Sequence, residues 1–148
     1  MDTKAITTAL FGVLIVLMGV STVSAVECTT TAYRSVEFKE PQSLFSPYEK
    51  VFVKIMCRGL EAGEHVVRAN WIHKKRGMIR SDNHRFKMDI KGDRFVFFWF
   101  KLTKKGPFSS ALTNKDFHEE NFGEWYVQAY LNDRLVGTED FKILPEGR

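Results

Sequence analysis

Gly123-Glu124-Trp125-Tyr126-Val127-Gln128-Ala129-Tyr130-Leu131 runs into Asn132-Asp133-Arg134 and then Leu135-Val136-Gly137-Thr138-Glu139-Asp140-Phe141-Lys142-Ile143. Apolar and polar residues alternate on both sides of a short polar turn, the period of half-buried strands. The segment therefore reads as a closing β-hairpin. In its first arm Trp125, Val127, Ala129 and Leu131 share a face. A two-residue Asn132-Asp133 turn pairs Leu131 with Arg134 and sets Phe141 and Ile143 on the face opposite Trp125. A three-residue connection pairs Leu131 with Leu135 and Trp125 with Phe141, bringing the apolar residues into phase. A bulge near Gly137 repairs the register as well. The three-residue turn is the expected form, since Asn and Asp tolerate the left-handed conformations it needs.

Earlier segments carry the same period. Ala32 to Phe38 reads as a first strand, and Lys50 to Cys57 as a second with Val51, Val53, Ile55 and Cys57 on one face. His65 to His73 is a third, holding Val67, Ala69 and Trp71 in phase. Lys74-Lys75-Arg76 and Gly77 turn the chain toward a weakly patterned strand from Met78 to Ile90. Arg94 to Leu102 follows as the most apolar strand, and a long connection opened by Gly106-Pro107 leads to Gly123. At most a turn of helix is expected, near Asn114 to Asn121. About seven short strands at this spacing predict an all-β fold: a two-sheet antiparallel immunoglobulin-like sandwich over residues 26–148, with a closed barrel as the alternative.

The first 25 residues read as an address. Lys4 gives a weakly positive start, Leu10 to Val20 is an uncharged apolar core, and Val23-Ser24-Ala25 supplies small residues for cleavage after Ala25. That is the three-part pattern of a secretory signal peptide. A retained anchor is the rival, because Ala5 to Val26 is uncharged and just long enough to cross about 30 Å of hydrocarbon. The expected location is periplasmic or secreted, with membrane contact only through an uncleaved signal segment. In an oxidising compartment Cys28 and Cys57 are expected to form a disulfide, with two free buried thiols as the alternative. Antiparallel pairing of their strands would place the start of one beside the end of the other.

The Gly-x-Trp-x-Val pattern from Gly123, the short turn and the final Phe141-x-Ile143 resemble the last two strands of exported bacterial immunoglobulin-like domains, many of them in uncharacterised families. Gly63-Glu64-His65 leading into a strand with Trp71 is similar to the middle of the same domains. The resemblance covers about half of the mature chain and implies a fold, with no catalytic residues and no ligand. It departs from antibody-type domains in that Cys28 and Cys57 flank early strands and not the central pair of the two sheets.

The net charge of +4 is mild. Acids and bases alternate along the chain, whereas nucleic-acid proteins concentrate positive charge on one face, so no nucleic-acid partner is expected. Lys74, Lys75 and Arg76 form the one dense basic patch, read as a solvated loop tip or as a contact for an anionic surface. No nucleophile elbow, phosphate loop or paired-cysteine motif occurs. His65 and His73 lie about 27 Å apart along one extended strand and so cannot share a metal. No cofactor and no metal site is expected. A small metal-dependent or hydrolytic periplasmic enzyme using His84 or His118 with nearby acids is the alternative reading.

The expected function is that of an exported, non-enzymatic binding or assembly module. Two surfaces are candidates. Tyr126, Gln128 and Tyr130 lie opposite Trp125 and form an aromatic–polar–aromatic row suited to a protein or carbohydrate ligand, or else an ordinary strand surface. The run Phe95 to Phe100 is apolar on both faces. If Phe95, Phe97 and Trp99 fill the core, Val96, Phe98 and Phe100 need a cover. Either the long connection with Phe108, Phe117 and Phe122 supplies it, or Phe98 and Phe100 form a partner or homodimer interface.

Overall fold

The computed structural model describes residues 25–146. The signal segment predicted over 1–25 thus lies outside the described residues, apart from Ala25. Among the described residues there are eight strands: β1 (Glu27–Tyr33), β2 (Leu44–Phe45), β3 (Val51–Leu60), β4 (Gly63–His73), β5 (Gly77–Met88), β6 (Gly92–Phe100), β7 (Gly123–Leu131) and β8 (Arg134–Ile143). They form a three-stranded sheet in the order β1-β3-β6 and a five-stranded sheet in the order β2-β8-β7-β4-β5. The chain is a two-sheet sandwich and not a closed barrel. All strand pairs are antiparallel except β2 with β8, which is parallel.

The closing hairpin has a two-residue turn, so the expected three-residue connection is corrected. Leu131 pairs with Arg134, and Asn132 and Asp133 adopt φ of 48° and 66°. Both central residues lie in the left-handed region, as the hairpin turn matching strand twist requires. A bulge follows immediately: Tyr130 pairs with Leu135 but Ala129 pairs with Gly137, and from there Trp125 meets Phe141. Burying Phe141 and Ile143 is worth more than an unbroken ladder, and the extra residue at Val136 restores their phase.

The first strand begins and ends earlier than expected. Its pairing partner sets its limits, because Glu27 to Tyr33 run opposite Arg58 to Phe52. That register puts Cys28 directly across from Cys57, with Cα atoms 4.1 Å apart, and the two form a disulfide within one sheet. Closing the intervening loop is worth about 3–4 kcal/mol in the chain-entropy account. In the long connection α1 (Pro107–Thr113) precedes the single turn expected from sequence, which is a 3-10 turn at Glu119–Asn121. Pro107 starts α1, where a missing N–H costs nothing.

Facing sheets bury one contiguous core. At its centre Trp71 stacks on Phe100 at 5.3 Å between ring centroids, Phe100 meets Trp125 at 5.0 Å, and Trp125 stacks on Phe141 at 6.2 Å. These four rings come from β4, β6, β7 and β8 and tie the sheets together. Buried His65 and His73 use both ring nitrogens locally. His65 bonds the Glu61 carbonyl and the Asn132 amide, and His73 bonds the Phe122 carbonyl and the Lys75 N–H.

One lateral side of the sandwich is sealed. The free edge of β1 lies against β8, where the Ala32 N–H donates to the Glu139 carboxylate at 3.2 Å. Burial raises the pKa of that carboxyl, partly offset by the Ala32 bond. At Gly137 the two strands approach so closely that a Cβ would lie 2.3 Å from Thr30 Oγ1 and 3.1 Å from Thr30 Cβ. One end of the sandwich is fastened by Asp116, which accepts bonds from Ser110 Oγ and Tyr48 OH, each at 3.0 Å. Those two hydroxyls, Ser110 first, hold the Asp116 carboxyl below its ordinary pKa, with Lys104 adding to the effect. Phe117, beside it, is fully buried against Tyr48.

Two stability measurements test this packing. Gly137→Ala is expected to lower the unfolding free energy by about 1–3 kcal/mol, as overpacking at a closed seam does. Leu135→Ala, on the exposed part of the same strand, should leave the denaturation midpoint nearly unchanged. For Asp116 the folded pKa lies below the unfolded one, so its stabilisation is present above the unfolded pKa and is lost as pH falls through the folded one. The melting difference between wild type and Asp116→Asn should therefore be largest near neutrality and shrink on acidification. A difference independent of pH would assign the clasp no ionic share.

Candidate functional site

The strand β6 faces the opposite way from the expected phase. Phe98 and Phe100 are 9% and 6% exposed, whereas Phe95, Phe97 and Trp99 are 46%, 42% and 44% exposed. The interface expected at Phe98 and Phe100 is thus corrected: Phe100 belongs to the central ring cluster, and Phe98 lies beneath the surface. The reason is register. Val51, Val53 and Ile55 are core residues of β3 and pair with Phe100, Phe98 and Val96. Paired residues of antiparallel strands share a face, so these follow them inward. Phe52, Lys54 and Met56 then share the outer face with Trp99, Phe97 and Phe95.

That outer face is an aromatic surface with cations laid on it. Phe38 leans over β6, its ring 5.4 Å from Phe97 and 6.0 Å from Phe95, and Tyr33 meets Phe38 at 5.3 Å. Lys50 Nζ stands 4.3 Å above the Trp99 ring, and Lys54 Nζ 4.7 Å above Phe95. Ammonium over a ring face is attracted by the ring quadrupole, which keeps the charge poised over the apolar surface. Among the described residues Lys50, Lys54, Arg58 and Arg94 make no ion pair. The covering role expected of the long connection is not played here. Phe117 and Phe122 join the core, and Phe108 is exposed.

Beside this face the sandwich is open. β5 and β6 are edge strands of different sheets, and no strand adjoins β6 on its far side among the described residues. Between them lie two overlapping grooves of about 370 and 360 Å³, which share Asn83, Phe97 and Phe98. His84 and Arg94 line one end, and Arg80, Asp82 and Trp99 the other. Arg80 spans this second end, bonding Asp82 at 2.6 Å and the Trp99 carbonyl at 2.5 Å. The Trp99 carbonyl therefore points away from β3. Alternate residues of a strand direct their N–H and C=O groups to the same side, so Phe97 and Phe95 aim theirs at the groove too.

The other residues singled out from sequence are dispersed. Tyr126, Gln128 and Tyr130 do line the outer face of the five-stranded sheet, half-buried, beside Ile72, Asn70 and Arg68 of β4. The Arg68 guanidinium lies 4.5 Å over the Tyr130 ring, and the Tyr130 hydroxyl donates to Gln128 Oε1 at 3.3 Å. Lys74, Lys75 and Arg76 form the β4–β5 hairpin tip, where Lys74 faces Asp140 at 3.3 Å and Arg76 bonds Asn121. His84 sits on β5 near Phe86, and His118 precedes the 3-10 turn, 4.0 Å from Glu120. Neither histidine has a hydrogen-bonded carboxylate partner among the described residues, and no three metal-ligating side chains converge there.

Sequence reading missed Phe95, Phe97 and Trp99 as outer residues, together with Lys50 and Lys54. A signal was present: Phe52 and Lys54 alternate with the core residues Val51 and Val53 on β3. What was missing was the register that places them beside β6.

No family model matches this chain, and no curated protein matches it. Among solved structures the chain is similar to the CARDB domain of a Pyrococcus furiosus protein, determined in complex with di-metal ions. Identity is 9%, the match covers 82% of this chain and 94% of that one, and the TM-score is 0.49. It is also similar to part of a β-glucosidase from Kluyveromyces marxianus, at 11% identity and a TM-score of 0.43, over 80% of this chain and 14% of that one.

Proposed function

We propose that this chain is an exported, immunoglobulin-like, non-enzymatic binding module whose contact surface is the outer face of the β1-β3-β6 sheet and whose partner is a negatively charged polypeptide. The observation that carries this reading is the row Phe95, Phe97 and Trp99, each more than two-fifths exposed on one strand. Ordinary strand surfaces hide or interrupt such rows, and a contiguous exposed apolar patch marks an interaction site. Covering the open half of each ring contributes roughly 2 kcal/mol at about 25 cal/mol per Å². Lys50 and Lys54, held over the rings of this face, set the sign of the partner. Immunoglobulin-like topology is supported by a three-stranded sheet packed on a sheet in which β8, β7, β4 and β5 adjoin in that order. Export is supported by the pattern of residues 1–25 and by the Cys28–Cys57 disulfide, a bond that persists in oxidising compartments.

The row Tyr126, Gln128 and Tyr130 offers a ligand less, because its side chains are half-buried, whereas Phe95, Phe97 and Trp99 rank among the exposed residues. It serves as the comparison surface. Random-peptide display panned on the protein should enrich acidic clones whose affinity falls at least about tenfold for Phe97→Thr/Trp99→Thr and with added salt. Tyr126→Thr should leave binding intact, and the double variant should still unfold cooperatively, at a lower melting temperature because about half of each ring is already covered. Clones that bind the double variant as well as wild type would overturn the proposed surface.

A further inference from the structure

The open edge of β6 defines how a partner is held. We infer that an extended acidic segment adds to β6 as a fourth strand of the β1-β3-β6 sheet, with alternate small apolar side chains entering the β5–β6 groove. This rests on the reading of the outer face given above and goes beyond it, because it assigns the binding to backbone pairing as well as to side-chain contact.

Contrast between the two sides of the sandwich leads to this inference. At β1 the free edge is closed by Glu139 accepting the Ala32 N–H and by the contact of Gly137 with Thr30. At β6, among the described residues, only the Trp99 carbonyl is taken, by Arg80. The alternation of strand geometry leaves the N–H and C=O groups of Phe95 and Phe97 facing the groove. Edge strands of natural proteins are commonly blunted by charge, proline or a bulge, and an unblunted apolar edge is a template for an added strand. From Phe95 to Trp99 β6 has no charge and no proline.

The groove and the charges specify the segment. Neighbouring strands lie about 4.8 Å apart, so an added strand sits between β6 and β5 in the place of the two overlapping grooves. Its inward side chains meet Phe98, with Asn83 and His84 opposite. Its outward side chains lie beside Phe95, Phe97 and Trp99, within reach of the ammonium groups that Lys54 and Lys50 hold over those rings. Carboxylates there gain partners that lack one in the isolated chain. Charge also decides against a second copy as the occupant. Antiparallel pairing of β6 with itself about Phe97 brings Trp99 beside the partner's Phe95. That sets Lys50, held over Trp99, close to the second copy's Lys54, held over Phe95, and like charges in such proximity destabilise the pair.

The test uses a short peptide alternating valine and glutamate, titrated into the isotope-labelled protein and followed by amide NMR and hydrogen exchange. Two further peptides carry N-methyl groups, one on every valine and the other on every glutamate. Only one of these sets faces β6, so one isomer should lose at least about tenfold in affinity while the other binds like the parent. The amides of Phe95 and Phe97 should gain exchange protection with the parent peptide. A valine–lysine peptide should not bind. Equal binding by both methylated isomers, abolished by Phe97→Thr/Trp99→Thr, would overturn strand addition while leaving the outer face as the contact surface. Absence of binding by the parent peptide at millimolar concentration, or a protein whose edge amides are already protected in a self-associated dimer, would overturn the inference outright.

Discussion

The pairing of β3 with β6 is the constraint on which the rest of this surface depends. β3 alternates clearly, with Val51, Val53 and Ile55 buried and Phe52 and Lys54 turned outward. β6 has no such alternation, since five of the six residues from Phe95 to Phe100 are aromatic and the sixth is valine. Its phase is therefore imposed by its neighbour. Once Val53 faces Phe98, half of the apolar payload of β6 joins the core and the other half is committed to the surface. No register of this strand against β3 hides all of it.

The same constraint explains why the core holds. Phe100, brought inward by Val51, completes the ring cluster with Trp71, Trp125 and Phe141. That cluster draws on both sheets, and the phase of Phe141 in it depends on the bulge that follows the Asn132-Asp133 turn. A local irregularity in β8 and an exposed aromatic row on β6 are thus two results of one requirement: Phe100, Trp125 and Phe141 must meet. The polar fastenings, Asp116 at one end and Glu139 along the β1–β8 side, lie away from the open side between β5 and β6.

Much of the architecture was legible from period alone. The strands around Val51–Cys57, His65–His73 and Gly123–Leu131 follow their apolar alternation, and the pairing of Trp125 with Phe141 was anticipated together with the bulge that can produce it. The turn itself was misjudged, because a two-residue turn plus a bulge and a three-residue turn satisfy the same alternation. The first strand was displaced because Ala32–Phe38 is no more strand-like than Glu27–Tyr33, and only pairing with β3 selects between them. The outward tyrosine row on β7 was placed correctly, while the larger aromatic surface on β6 was assigned to the wrong residues.

Residue order by itself determined that this chain builds strands, where most of them lie, and that Cys28 and Cys57 can meet when their strands run antiparallel. These follow from side-chain period and turn chemistry, which act over a few neighbouring residues. Tertiary structure alone decided which face of Phe95–Phe100 turns outward, that β6 is an edge, and that Lys50 and Lys54 stand over its rings. Those outcomes depend on residues some forty positions apart sharing a face, and a strand apolar on both sides carries no local information about which face that will be.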